Sequence, residues 1–144
     1  MKNIFLLLTL TISSICMAQK GAEITFEKKG LQFDSIPEGT QLAVVYTFTN
    51  TGDTELHITK VKTTCGCTVV DYSKKPVAPG QTDSINAVFD TNLRAGHNAK
   101  GINLETNAGA VSLVFEVFVI PNENTPAIEP TESPEEEDHS GHNH

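Results

Sequence analysis

Thr40-Gln41-Leu42-Ala43-Val44-Val45-Tyr46-Thr47-Phe48-Thr49 is the stretch that decides the fold. Leu42, Val44, Tyr46 and Phe48 recur at every second position, and the residues between them are mostly small or polar. A period of two is the mark of a strand with one face buried. The same alternation returns as Ile85, Ala87 and Phe89 within Asp83–Asp90, and as Ile102 and Leu104 within Lys100–Thr106. The longest run is Val111, Leu113, Phe115, Val117 and Val119. Glu116 lies on its other face, but so do Val114 and Phe118, which implies a central strand covered on both sides over part of its length.

Turn signals separate these runs: Pro37-Glu38-Gly39, Asn50-Thr51-Gly52-Asp53, Pro79-Gly80-Gln81 and Asn107-Ala108-Gly109. No segment of the folded part carries a helical period. Short strands at regular intervals in a domain of this size indicate two sheets packed face to face. The expected fold is therefore all-β, an immunoglobulin-like two-sheet β-sandwich of about seven strands. The strands are read as 23–27 with 31–35, then 40–49, 55–63, 66–71, 82–90, 99–106 and 110–119. Tryptophan is absent, so the likeness to antibody domains is one of architecture only.

The ends differ from the middle. Residues 1–18 read as a cleaved signal peptide: Lys2, an apolar stretch from Ile4 to Ile15, and Cys16-Met17-Ala18 with small residues at the −3 and −1 positions. The stretch falls short of the roughly 20 apolar residues a membrane-spanning helix needs. A lipidated Cys16 is disfavoured because Ile15 is not small. The mature protein is thus expected in the periplasm or secreted, with no transmembrane segment, in a compartment where disulfides persist. Residues 122–144 carry seven acids, no Lys or Arg, and prolines at 126, 130 and 134, the composition of a disordered tail. Residues 19–121 between them form one domain. Residues 19–120 hold 11 acids and 9 bases with no basic stripe, which argues against nucleic acid as a partner.

The string Phe48-Thr49-Asn50-Thr51-Gly52, continuing to Leu56 and Ile58, is followed by Thr64-Cys65-Gly66-Cys67-Thr68, Pro76-Val77-Ala78-Pro79-Gly80-Gln81 and Val88-Phe89-Asp90-Thr91. In order and spacing these strings resemble bacterial domain-of-unknown-function family 1573, common in exported proteins of Bacteroidota. The resemblance runs from about Leu31 to Val119. It implies an immunoglobulin-like sandwich similar to the Hydin and major-sperm-protein-like domains, and export. It implies no known reaction.

Chemistry centres on Cys65 and Cys67. Lys60 and Lys62 are expected to face water, which places Val61, Thr63, Cys65, Cys67 and Val69 on the inward face. Leu56 and Ile58 are inward on the opposite parity, so a bulge near Thr59-Lys60 is expected. Residues two apart on a strand have α-carbons about 6.5–7 Å apart. A disulfide prefers roughly 4.4–6.8 Å, so a Cys65–Cys67 bond needs a local kink, which Gly66 permits. The small ring would be strained, easily reduced and a weak staple. Three readings stay open: buried packing residues, a bonded pair, or two thiolates holding a soft ion such as Cu(I).

Divalent copper, nickel or zinc is a second metal possibility, through His139, His142 and His144 behind Glu135–Asp138. His57 and His97, the latter in a loop from Arg94 to Asn98, read as ordinary surface residues. Methionine is confined to Met1 and Met17 in the leader, unlike the Met-rich sites of copper carriers. No nucleophile–base–acid order, paired carboxylates or phosphate loop stands out, and Cys-Gly-Cys is not the Cys-x-x-Cys of thioredoxin-like enzymes. The sequence therefore points to a non-enzymatic module binding a protein or a cell-envelope component. Metal handling and thiol redox are the alternatives.

Overall fold

The structure is a computed structural model that describes residues 20–123. The leader, His139, His142 and His144 lie outside the described residues. Eight strands alternate with turns: β1 (Ile24–Phe26), β2 (Gly30–Pro37), β3 (Gln41–Asn50), β4 (Ile58–Thr63), β5 (Thr68–Tyr72), β6 (Thr82–Asp90), β7 (Gly96–Thr106) and β8 (Gly109–Ile120). They form two four-stranded sheets, ordered β1-β3-β6-β5 and β2-β8-β7-β4. The all-β sandwich expected from the alternating pattern is what the chain forms.

Eight strands stand where about seven were expected because the first splits. β1 pairs antiparallel with β3 in one sheet, and β2 pairs parallel with β8 in the other. Glu27-Lys28-Lys29 carries the chain across the sandwich edge, with Glu27 N–H donating to Thr47 O and Lys29 O accepting from Val114 N–H. Residues 55–57 are not strand. Leu56 instead makes a two-way bridge to Val77, each N–H donating to the other's carbonyl at 2.9 Å.

The core lies between the sheets. Val44, Tyr46 and Phe48 from β3 meet Leu113, Phe115, Val117 and Val119 from β8, with Ile85 and Phe89 from β6 and Ile102 and Leu104 from β7. Phe89 and Phe115 touch edge to face across the two sheets, with centroids 5.6 Å apart. Each large side chain buried in this way stabilises the fold by about 1.5–3 kcal/mol. Burial without a hydrogen-bond partner pushes the Tyr46 phenol up from 10.0 to about 12, so it stays protonated throughout the physiological range.

The outer face of β8 departs from expectation. No third layer covers it among the described residues. Val114 stays exposed, and Phe118 is only half-covered, by the ring of His97 packed edge-on at 4.8 Å. His97 is correspondingly a strand residue on β7, paired with Phe118, and not part of a loop.

One end of the sandwich is closed by Asn50, whose side chain is fully buried. Its amide donates to Thr54 O and Val77 O, both at 2.8 Å, and its Oδ1 accepts from Gly52 N–H at 3.0 Å. Gly52 packs so closely on residues 21–23 that a Cβ would lie 2.1 Å from Gly21 O. Thr51 N–H and Asp53 N–H then hold Glu23 O and Gly21 O, which anchors the entry to β1. Gly80 adopts φ +76 and gives its N–H to Asn50 O. Asn50→Ala takes their partner from Thr54 O and the buried Gly52 N–H, and removes one of the two bonds to Val77 O, which keeps Leu56 N–H. It is expected to lower unfolding free energy by about 3 kcal/mol or more in urea titration. A loss below about 1 kcal/mol would show that the turn holds without it.

Candidate functional site

The cysteines occupy the turn where the chain leaves β4, an edge of one sheet, and enters β5, an edge of the other. The expected bulge is present as a register shift between Ile58 and Lys60. Beyond it Val61, Thr63, Cys65 and Cys67 are half-buried and inward, as alternation requires. The alternation then resets. Thr68 is buried and Val69 is 71% exposed, so the expected inward Val69 is corrected: the turn consumes one residue and reverses the parity of β5.

Cys65 and Cys67 are joined as a disulfide with α-carbons 5.3 Å apart. Hydrogen bonds fix the turn on both sides. Thr63 Oγ1 donates to Cys65 O at 2.8 Å, and Asp90 N–H donates to Cys67 O at 3.0 Å. Thr64 exchanges bonds with Gly101, giving its N–H to Gly101 O and accepting Gly101 N–H on Oγ1, both at 3.0 Å. Gly101 must be small here, since a Cβ would lie 2.9 Å from Thr64 Cγ2. Gly66 need not be. Its φ is not positive and a Cβ would meet nothing within 4 Å, so hydrogen bonding of the flanking residues, and not glycine freedom, shapes the kink. Nearby, Lys100 Nζ sits 5.5 Å from the centroid of the Phe89 ring.

Metal chemistry at this turn requires the bond to be reduced, because both sulfurs are engaged in it. Among the described residues no cluster of three or more His, Cys, Asp or Glu side chains is placed to hold an ion. His57 lies at the far end of β4 from the cysteines and faces Glu55 at 3.8 Å.

A second feature of the same turn escapes sequence reasoning. It leaves β5 as an edge that, among the described residues, pairs only with β6. The Asp90-to-Cys67 bond fixes the phase of the antiparallel ladder with β6, so Val69 and Asp71 exchange bonds with Val88 and Asn86. The N–H and C=O groups of Thr68, Val70 and Tyr72 therefore point away from the sheet. Natural edges carry protection against such exposure. β1 is three residues long. β2 has a register shift after Phe33 and ends on Pro37. β4 has its own shift and presents Lys60 and Lys62. β5 pairs in unbroken register, without Pro or Lys, and adds exposed valine to its outer face. Val69 lies beside Val88, which lies beside Ala43, and Val45 on β3 extends the apolar strip. The Val69-Val70 doublet after the parity reset is the only signal of it in the sequence.

A two-sheet sandwich whose first strand divides between the sheets is an immunoglobulin-like architecture. Residues 24–119 match the family described as Protein of unknown function (DUF1573), and the chain belongs to that family. No curated protein matches it by sequence. Among solved structures it is similar to a protein of unknown function from Porphyromonas gingivalis W83, with TM-score 0.63 and 13% identity, over 72% of this chain and 50% of that one. The chain thus spans half the length of that protein. It is also similar to the ASH / PapD-like domain 7 of human CEP192, with TM-score 0.58 and 10% identity, over 73% and 89% of the two chains. The Escherichia coli chaperone DraB aligns with TM-score 0.50 and 12% identity, over 76% and 58%. These likenesses concern the fold.

The family strings are accounted for by structure. Phe48 is core, Asn50 and Gly52 close one end, and Gly80 serves Asn50. Thr91 is fully buried at the other end, accepting Thr40 N–H and donating to Thr40 O. For the chain starting at Gln19, thiol titration in denaturant is expected to find no free thiol before reduction and both cysteines after it. Replacing the pair by serine should cost no more than about 1.5 kcal/mol, because the bond closes so short a loop.

Proposed function

We propose that the protein is an exported, non-enzymatic sandwich module that binds another protein or a component of the cell envelope. The observation that carries this reading is the β5 edge with its strip of exposed valines, left uncovered among the described residues, in a domain whose other edges are short, bulged or charged. The polar residues of the family strings are engaged in holding the fold, which supports a binding role over a reaction. Export is supported by the leader-like residues 1–18 and by a disulfide, a bond that persists in oxidising compartments. The Cys65–Cys67 bond also favours a second reading, thiol redox, because it sits at a half-buried surface turn.

The test is recovery of a partner from an envelope extract on immobilised protein starting at Gln19, followed by titration of that purified partner. Saturable one-to-one binding is expected. Absence of any saturable partner would overturn the reading.

A further inference from the structure

We propose that β5 is the docking site and that its occupant is an extended segment of another protein, added antiparallel as a fifth strand, apolar at alternate positions and acidic at its N-terminal end. This deepens the binding reading above and rests on it.

The backbone decides the class of occupant. Thr68, Val70 and Tyr72 present N–H and C=O groups at every second residue along an edge that pairs with nothing among the described residues. Groups repeating about 6.5–7 Å apart in one line are matched by another strand, and not by a sugar, a lipid or the side of a helix. Antiparallel addition continues the β5–β6 pairing and gives the better ladder per residue.

Side chains decide its composition. On the outer face Val69, Val88 and Ala43 form one row across three strands. A partner residue opposite Val69 extends that row and excludes water from it if it is β-branched. Asp71 is the one charge within β5, and Lys74 and Lys75, both exposed, stand just beyond its last residue. An antiparallel partner brings its N-terminal end to these lysines, so acids there are favoured.

Other occupants fit less well. The chain's own residues 124–144 have prolines at 126, 130 and 134, and the proline-free residues after them, Glu135 to His144, hold no apolar side chain to extend the valine row. A second copy meeting β5 to β5 antiparallel sets Lys74 and Lys75 of each protomer beside residues 64–68 of the other, where no acid stands to meet them.

The experiment uses two synthetic peptides, EETVTVT and KKTVTVT, titrated into the isotopically labelled chain starting at Gln19. Amide shifts and hydrogen exchange are read at each concentration. With EETVTVT, shifts are expected to centre on β5, and the amides of Thr68, Val70 and Tyr72 should gain protection. KKTVTVT should bind roughly threefold to tenfold more weakly. Lys74→Glu with Lys75→Glu should invert that order. Val69→Lys, at an exposed position that leaves the core untouched, should abolish binding while the rest of the spectrum is unchanged. Shifts centred elsewhere, or none with either peptide, overturn the proposal. So does protection of the three amides before peptide is added together with a dimer mass in sedimentation, which assigns the edge to a second copy. The recovered envelope partner distinguishes failure of the site from failure of the function. If it binds Val69→Lys as tightly as wild type, β5 is not the site and the binding reading stands. If no partner binds wild type, the reading itself falls.

Discussion

The side chain of Asn50 ties the turn that follows β3 to the segment around Val77. It holds Thr54 and Val77 through its amide and Gly52 through its oxygen, while its backbone carbonyl receives Gly80. A buried amide is stabilising only when its groups are satisfied, and here every one is. That condition fixes the turn after β3, and the turn directs the chain on either side of it. Leu56 and Val77 are brought into register by the same cluster, so β4 starts in one sheet while β6 starts in the other. Gly52 lies against residues 21–23 and delivers β1 to the edge of β3. The far end is closed in the same manner by Thr91, whose hydroxyl serves both backbone groups of Thr40. Between these two clasps the apolar faces of β3, β6, β7 and β8 pack against each other.

Much of this is legible in the sequence because alternation is local. Val44, Tyr46 and Phe48 reveal their buried face without reference to anything distant, and the change of parity between Ile58 and Lys60 requires a bulge that is present. The hidden part depends on which strand meets which. Residues 23–27 and 31–35 read as one broken strand, and nothing local shows that they belong to opposite sheets. Val69 falls on the wrong face when a strand is run straight through Cys65 and Cys67, where a turn resets the parity. His97 reads as loop because Gly96 precedes it, yet pairing with Phe118 makes it strand. Gly66 suggests a conformational freedom that its neighbours' hydrogen bonds make unnecessary.

The conspicuous residues of this family domain thus explain its shape more than its action. The disulfide closes a three-residue turn and adds little stability, but it stands where the chain exchanges one sheet for the other. Its position governs where β5 begins, and β5 is the strand left without protection. The proposed site of action is a consequence of topology: an edge made by a sheet switch, carrying valine where other edges carry lysine, proline or a bulge.

The phase of the ladder along β5 decides whether that edge stands open. Amide hydrogen exchange of the free protein, resolved residue by residue, tests it most directly. The amides of Val69 and Asp71, bonded to β6, should exchange slowly, and those of Thr68, Val70 and Tyr72 should exchange quickly. Uniform protection along β5, or the opposite alternation, would contradict the open edge and the docking role assigned to it.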